Sequence, residues 1–427
     1  MPLRCKNPEK RLTGAGRGTI FLDMYKTSPG ALNLKLRGHE TECGETNMTK
    51  EEYRAELNNM IYLVSCAVKE SVPEKSRVES MNLPLLHTIA GYHLLTAAVA
   101  YALESAGIHD PAFTQSKAKA MRKIALMDTD MAEIFTRMEE AEIWYMPLKG
   151  TILKEYYPQF GMREMADHDI LFDAGRADDV RHIMKELGFR VEEFGTAHHD
   201  VYFKEPVSNF EMHRLLFGPG LYEKLYEYYK DVEVRLLGDG CEKHFSPEDF
   251  YIYMTAHEYK HYADMGTGLR SLLDTYVYLQ KESLDMAYVK AETEKLGIAE
   301  FEAANRALAQ RLFSGEALTE EEKETLQYIL DSGVHGSRAL TVQRRLSDFG
   351  YGKLRYAFER FMEPLNKNSW NYRNLSYEFP FFYKHRLFLP LLPFYRVFLR
   401  LASGRLKAEL KALKKAEKSS DRGGKQP

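Results

Sequence analysis

The spacing of hydrophobic and polar residues changes twice along the chain. Between residues 48 and 141 apolar residues recur every three or four positions, which predicts helices near 50–68, 84–106 and 113–141. Thr49 is a suitable N-cap for the first helix, and Glu52, three residues later, completes a capping box. Pro84 suits the first turn of the second helix. These residues therefore form a predicted N-terminal helical region.

After residue 142 the predicted helices and strands become shorter. Helical patterns in "TILKEYYPQF" and "GRADDVRHIMKELGF" are separated by short apolar or alternating runs, which predict strands in "EIWYMPLKG", "DHDILF", "RVEEF", "HDVYFKE" and "NFEMHRLLF". Strands and helices mixed within about a hundred residues indicate a small α/β domain, placed at 142–240. We expect an α+β protein with a small mixed sheet, flanked by N- and C-terminal helical regions.

Helical patterns return at residue 245 and continue to about 345. Ser246 is expected to cap the first of these helices, with Pro247 in its first turn. The two ends of the chain differ from the rest. Residues 1–47 are rich in Gly, Pro, Asn and Thr and predict a weakly ordered lead-in. Residues 346–427 are aromatic and basic, and end in a polar tail.

Composition narrows the class of protein. The chain has 427 residues and a formal net charge of −3, which argues against a dedicated nucleic-acid binder, and it contains no clear nucleic-acid module. Its four cysteines are scattered and form no Cys-x-x-Cys pair, so a reduced, cytoplasmic protein is expected. The apolar run "PLLHTIAGYHLLTAAVAYALESAG" contains His87 and His93, and we interpret it as buried helix rather than a membrane span.

Two aspartates provide the first candidate chemistry. Asp167 and Asp169 are two residues apart on a predicted strand, so both side chains should leave the same face, with Cα atoms about 6.6 Å apart. Glu211, on a later predicted strand, can add a third carboxylate if the two strands are neighbours. Carboxylate oxygens suit Mg²⁺, with Mn²⁺ as an alternative, and Mg²⁺ commonly also binds substrate phosphates.

A candidate phosphate-binding segment precedes the aspartates. Gly150 ends a predicted strand and Thr151 begins a helix, where free backbone N–H groups favour an anion. Thr151 adds a hydroxyl group, and Lys149 adds a positive charge. The sequence thus predicts a nucleotide site built from Lys149, Gly150 and Thr151.

These elements resemble the nucleotidyltransferase superfamily that includes DNA polymerase beta. Its strand, Gly-Ser or Gly-Gly turn, arginine, Asp-x-Asp and third acid correspond to residues that occur here in that order: Gly150-Thr151, Arg163, Asp167-His168-Asp169 and Glu211. More narrowly, "LKG", "YP", "DHDIL" and "FEMH" are similar to a bacterial family of uncharacterised nucleotidyltransferases, over roughly residues 80–400. Thr151, His168 and Glu211 each depart from the commonest superfamily residue.

The resemblance implies transfer of a nucleoside monophosphate from an NTP, by default ATP, to an unidentified acceptor, with pyrophosphate leaving. Asp167 and Asp169 would hold Mg²⁺, and Glu211 would help bind the catalytic metal and activate the acceptor hydroxyl. The nucleotide would be bound by Lys149, Gly150, Thr151 and Arg163. The alternative from a different class is a catalytically degenerate nucleotide-binding or scaffold protein that keeps the fold.

The stretch "HEYKH" at residues 257–261 raises a third hypothesis, a zinc hydrolase, because His-Glu-x-x-His places two imidazoles on one helix face. The extension that usually supplies a third ligand is missing, and Glu282 is only a distant candidate. We prefer that His257 and His261 line the nucleotide or acceptor pocket. Arg270 is also a candidate pocket residue, and is predicted to pair with Asp274, four residues later.

Three other histidines could also be site residues. His213 shares the strand face of Glu211 and is a candidate pocket residue. His198 and His199, in "AHHD", could bind a metal, but a solvated strand end is the preferred interpretation.

The aromatic and basic segment 379–418 leaves two interpretations open. It could make weak contact with an anionic membrane surface, with apolar residues inserted and Lys and Arg near the headgroups. The preferred alternative is packing over the helical domain, because Pro390 and Pro393 interrupt the most apolar part.

Overall fold

The computed structural model describes most of the chain after the lead-in: residues 49–195, 197–220, 222–264, 266–334, 353–367 and 372–402. The predicted lead-in at 1–47 and the basic stretch that follows residue 402 lie outside the described residues. All statements below concern the described part of the chain.

The N-terminal region is helical, as predicted. Its helices are α1 Lys50–Val68, α2 Lys75–Glu79, α3 Leu83–Tyr92, α4 Thr96–Ser105 and α5 Pro111–Glu140. The predicted capping box is confirmed, since the Thr49 hydroxyl accepts from the Glu52 N–H and the Glu52 carboxylate accepts from the Thr49 N–H. The single helix predicted over 84–106 is wrong: two helices are separated at Leu94, whose φ is +52°.

The sheet has five strands in the order β1-β2-β5-β4-β3. Their bounds are β1 Tyr145–Pro147, β2 His168–Phe172, β3 Arg190–Glu193, β4 His199–Lys204 and β5 Ser208–His213. β2 and β5 are parallel, and the other neighbouring pairs are antiparallel. Helices α6 Gly150–Leu153 and α7 Ala177–Glu186 lie between strands in the sequence. The protein therefore has the predicted α+β class with a mixed sheet.

The region after the sheet is helical again. Its described helices are α8 Glu223–Tyr229, α9 Pro247–Asp264, α10 Leu269–Lys281, α11 Met286–Leu296, α12 Ala299–Ser314, α13 Glu320–Ser332, α14 Lys353–Met362, α15 Tyr372–Glu378, α16 Pro380–Lys384 and α17 Leu392–Ala402. Ser246 caps α9 as expected, because its hydroxyl accepts from the Asp249 N–H at 3.1 Å. Within the described residues no helix combines the length and hydrophobicity needed to cross a membrane.

Hydrophobic contacts join the two helical regions. One core contains side chains of α1, α3 and α4 together with those of α10, α12 and α13, including Leu63, Leu103, Leu272 and Phe313. Each fully buried side chain of this size contributes about 1.5–3 kcal/mol. Two further cores involve the sheet, one with α5 and α7 and the other with α8, α9 and α11. The sheet is thus held between helices from both ends of the chain.

Candidate active site

The parallel pairing of β2 with β5 places two acidic residues side by side. Asp169 and Glu211 are direct partners in the register of these strands, so their side chains leave the same face of the sheet. Asp167 lies one residue before β2, which begins at His168. The prediction that both aspartates lie on the strand is therefore wrong, because strand alternation does not set the direction of Asp167. All three acids nevertheless line one cavity.

The cavity measures about 410 Å³ and lies between the sheet, the segment before β2, and helices α9 and α10. The ionisable residues that line it from the sheet, its adjoining turns and the segment before β2 include Lys149, Arg163, Asp167, Asp169, His198, His199, Glu211 and His213. Helices α9 and α10 contribute His257, Glu258, Lys260, His261, Arg270 and Asp274. Acidic groups and cationic groups thus share one partly enclosed space.

Asp169 receives two hydrogen bonds at one oxygen. Its Oδ1 accepts from Lys149 Nζ at 2.7 Å and from His213 Nε2 at 2.8 Å. Burial alone would raise the pKa of Asp169, but the charge of Lys149 and the hydrogen bond from His213 outweigh it and hold that pKa well below its usual value. Asp169 is therefore ionised at neutral pH.

The charge of Asp169 affects the pKa values of Asp167 and Glu211. Burial and then the charge of Asp169 raise the pKa of Asp167. Burial, followed by the charges of Asp169 and Asp167, raises the pKa of Glu211 to about 7. Repulsion among carboxylates in a buried space is relieved when a cation binds between them. Ligand atoms of Asp169, Glu211 and His213 lie within 4.8 Å of one another, and the two carboxylates suit a divalent cation.

Arg163 makes a structural ion pair at the edge of this cavity. Its Nε and Nη2 donate to the two oxygens of Asp274, each at 2.8 Å, and the Tyr157 hydroxyl also donates to Asp274. The predicted Arg270–Asp274 ion pair is not formed by direct contact, and the two residues interact only through their charges. Arg270 instead donates to the backbone oxygen of Glu164 at 2.8 Å. The bidentate pair with Arg163, from another segment, is stronger than a pair formed by four-residue spacing on the same helix.

Gly150 makes room for Arg163. A Cβ atom at Gly150 would lie 2.4 Å from Arg163 Nη1 and 2.9 Å from the Met165 methyl carbon. Lys149 precedes it with φ +43° and ψ −119°, an unusual backbone for a residue other than glycine. This turn brings the Lys149 side chain to Asp169 and leaves the guanidinium of Arg163 against the Gly150 backbone.

Thr151 lies beneath the cavity rather than in its lining. Its side chain is buried, and its hydroxyl is 2.9 Å from His168 Nδ1. His168 in turn bonds Asp128 through Nε2 at 3.1 Å. The Thr151 hydroxyl, predicted to bind phosphate, is instead hydrogen-bonded to His168 inside the protein. His168 makes this possible because it is a polar residue between the two aspartates.

The "HEYKH" stretch lies on α9. Nε2 of His257 and Nε2 of His261 are 3.1 Å apart, and both residues line the cavity as expected. The Glu258 carboxylate bonds Asn305 at 2.9 Å and Thr275 at 3.5 Å, on α12 and α10. Glu282 accepts instead from the Tyr156 hydroxyl. Among the described residues, neither histidine belongs to a convergent group of three metal-binding side chains, so the zinc-hydrolase hypothesis gains no third ligand.

Three residues of the cavity lining differ from the preferred interpretation of the sequence. His198 and His199 were expected at a solvated strand end, but they line the cavity next to His213. Lys260 is not among the predicted site residues, although it lies three residues after His257 on the same helix and lines the cavity. Burial, and then the charge of Lys149, lowers the pKa of Lys260 to about 8. A bound anion would therefore stabilise the charged form of Lys260.

Comparison with known proteins supports one assignment. A family described as "Uncharacterised nucleotidyltransferase" matches residues 79–314, more than half of the chain, and this span includes all five strands and the cavity acids. No curated protein and no solved structure matches the chain. The chain therefore belongs to the family of uncharacterised nucleotidyltransferases.

Proposed function

We propose that the protein transfers a nucleoside monophosphate from an NTP to an acceptor hydroxyl in a Mg²⁺-dependent reaction, with residues 142–240 as the catalytic domain. The observation that carries the proposal is the pairing of Asp169 with Glu211 on parallel strands, with Asp167 beside them in one cavity. ATP is the first donor to test. Family membership supports nucleotidyl transfer as the reaction class.

The carboxylates fit the cation that this reaction requires. Asp167, Asp169 and Glu211 would hold Mg²⁺, or Mn²⁺ in its place, because hard oxygen donors suit these ions and their mutual repulsion favours a cation. When bound, the ion would neutralise phosphate charge that develops in the transition state. Lys149 donates to Asp169, so a positive charge is already stabilised next to this carboxylate.

Cationic side chains on the opposite wall would bind the triphosphate. Lys260 and Arg270 line the cavity from α9 and α10, and both have a lowered pKa because burial disfavours their charge. An anionic phosphate would stabilise the charged form of each side chain. We assign phosphate contact to Lys149, Lys260 and Arg270. Arg163 supports the site through Asp274, and Gly150 allows that support by its lack of a side chain.

Glu211 has the properties of a proton acceptor. Burial and the charges of Asp169 and Asp167 raise its pKa, and a cation held by the three carboxylates would lower it, which leaves Glu211 ionised and able to accept a proton. In the proposed step, the acceptor O–H bond breaks and its proton moves to Glu211. The acceptor oxygen then bonds the α-phosphorus, the bond from that phosphorus to the bridging oxygen breaks, and pyrophosphate leaves.

A non-catalytic nucleotide-binding protein is the second candidate. It is favoured by the engagement of three predicted nucleotide contacts within the protein, at Lys149, Thr151 and Arg163. Incubation of the protein with each NTP labelled at the α-phosphate, with Mg²⁺ and with or without cell extract, separates the two. Label transferred to an acceptor, together with free pyrophosphate, supports catalysis. Binding of NTP and Mg²⁺ without either product supports the second candidate.

A further inference from the structure

Three histidines converge at the edge of the cavity. His199 on β4 and His213 on β5 are register partners, and their ring centroids are 5.0 Å apart. The ring of His198 lies 4.6 Å from that of His199 and 5.7 Å from that of His213. One ring nitrogen from each residue lies within 4.8 Å of the other two. Imidazoles at these distances can share one ion.

Hydrogen bonds to the backbone hold the segment with His198 and His199 in place. The His198 carbonyl accepts from the N–H groups of Arg214 and Leu215, at 2.9 and 3.2 Å. The Arg214 guanidinium donates to the Ala197 carbonyl at 2.8 Å and to Asp200 at 3.1 Å. The turn that carries the histidines is therefore fixed on both sides, which reduces the cost of ordering ligands around an ion.

Hydrogen bonding leaves His213 with a free lone pair. An ionised carboxylate can only accept, so His213 Nε2 must carry the proton that it donates to Asp169. In the neutral ring Nδ1 is then unprotonated, and this buried atom has no hydrogen-bond partner. A carboxylate that holds one imidazole nitrogen is the common arrangement behind metal-bound histidines.

We propose that His198, His199 and His213 form a site for a divalent transition-metal ion of the zinc, cobalt and nickel class. Imidazole nitrogen suits these ions, whereas Mg²⁺ prefers oxygen. Three histidines leave a coordination position open, and Glu211 Oε2 lies 3.7 Å from His199 Nε2. The inference does not depend on the proposed function, because ion binding can be measured without turnover.

Cobalt provides the test. Metal-free protein is titrated with Co²⁺, and the visible absorption of the bound ion and the binding heat are recorded. We expect one equivalent to bind, with affinity at least about tenfold weaker in His198→Ala and His199→Ala. His182→Ala, at an exposed histidine on α7, is the matched control and should bind normally. Circular dichroism checks that each variant is folded.

Two results would overturn the proposal. One is unchanged Co²⁺ binding in both histidine variants, or the same loss in His182→Ala. The other is complete displacement of Co²⁺ by excess Mg²⁺, which would place the ion on the carboxylates instead. Nucleotidyl transfer by the same samples is measured separately, so its failure would leave the result for the histidines intact.

A second inference rests on the C-terminal surface. Large apolar side chains are exposed on α17 and the turn before it, among them Leu387, Phe394 and Phe398 at 86%, 65% and 65%. Phe394 and Tyr395 lie three and four residues after Leu391, and Phe398 lies four and three residues after them. All four side chains are exposed, so they form one apolar face along α17 and the residue before it. The other side packs inward, since Leu392 is buried and Arg396 bonds Glu363 at 3.0 Å.

The same segment carries only positive charge. Residues 379–402 contain no Asp or Glu but include Lys384, Arg386, Arg396 and Arg400. Lys384 and Arg386 are exposed beside the apolar face. The sequence that follows, 403–418, adds six Lys or Arg against two Glu. Apolar side chains bordered by cations match the chemistry of an anionic lipid surface.

We infer that this segment docks on an anionic bilayer and lies in its interface. A second copy of the chain is a poorer partner, because two basic faces repel each other. Packing over the helical domain, the preferred interpretation of the sequence, accounts for one side of the segment, where Leu392 is buried. Pro390 and Pro393 do interrupt the helix, but the apolar side chains around them are exposed.

Vesicle flotation tests the surface. The full chain should float with vesicles of phosphatidylcholine and phosphatidylglycerol, and much less with phosphatidylcholine alone or at high salt. The double substitution Phe394→Asp and Phe398→Asp should abolish flotation. Val234→Asp, at an exposed valine outside the segment, is the control and should not change it. No flotation of the wild type, equal flotation of the double variant, or concentration-dependent dimerisation through this face would refute the inference.

Discussion

Glu211 is the residue whose proposed role depends most on its surroundings. Its carboxyl lies beside Asp169 in the cavity, so it can both contact a cation and accept a proton. Glu211→Gln keeps the shape of the side chain but removes both abilities. We expect kcat to fall by about 10²–10⁴-fold while the Kd for NTP changes much less, because the cationic wall remains.

Turnover and calorimetric NTP binding, measured on the same samples, check this expectation. Glu192→Gln, at an exposed position on β3, is the control and should retain wild-type kcat. If Glu211→Gln turned over normally, Glu211 would not be the base. If NTP affinity fell as much as kcat, the residue would act in ground-state binding instead.

Gly150 has a steric role that can be tested by stability alone. In Gly150→Ala the new methyl group would press on the Arg163 guanidinium, which is fixed by Asp274. We expect the free energy of unfolding to fall by about 1–3 kcal/mol, the usual range for overpacking. Urea unfolding measures it. Gly240→Ala, where an added Cβ meets no atom within 4 Å, is the control. Equal stability of the two variants would contradict this role.

Helix α9 shows how a catalytic motif can serve a structural purpose. Glu258 is the glutamate of "HEYKH", yet it is 5% exposed and bonds side chains of α10 and α12. Burial raises its pKa from 4.5 to about 7. The folded protein therefore holds a proton that the unfolded chain releases between these pH values.

This difference predicts a pH dependence of stability. Because the folded pKa is the higher one, the contribution of Glu258 becomes unfavourable as pH rises from 4.5 to about 7, by about 3 kcal/mol in total, and is constant beyond that window. Glu258→Gln should remove this slope and be more stable than wild type at pH 8. Unfolding free energies across pH 4–8 provide the comparison. Parallel curves for the two proteins would show that Glu258 does not titrate in this range.

Elements were more predictable than the contacts between them. Periodicity located all five strands and the main helices, because these patterns depend only on which side chains face a core. It did not locate the break at Leu94 in the 84–106 run, where local apolar spacing continues through a change of helix. It also placed Asp167 on β2, one residue too early, because strand ends depend on pairing partners.

Long-range partners explain the remaining differences at the site. Motif order suggested that Asp167, Asp169 and Glu211 would meet, and the strand order brings all three to one cavity. The histidine cluster could not be predicted in the same way, because it depends on the register that sets His199 opposite His213. Residues 111 positions apart, Arg163 and Asp274, likewise form their pair only after α10 packs beside the segment before β2.

At the scale of the whole molecule, the cavity is built from distant parts of the chain. The sheet supplies acids, α9 and α10 supply cations and histidines, and one hydrophobic core joins α10 to the N-terminal helices. Opposite charges thus face each other across a space of about 410 Å³. This arrangement suits a ligand that brings both a divalent cation and phosphate groups, as an NTP does.

The most direct test of the central claim is the Mg²⁺ dependence of pyrophosphate release from NTP, compared between wild type and Asp169→Asn. Asp169 is the ionised carboxylate at the centre of the proposed cation site, and asparagine keeps its size while removing its charge. We predict that wild-type release requires Mg²⁺ and that Asp169→Asn lowers it by at least about 10³-fold, with the fold intact. Wild-type release that persists in chelator, or an Asp169→Asn protein with normal turnover, would contradict the account.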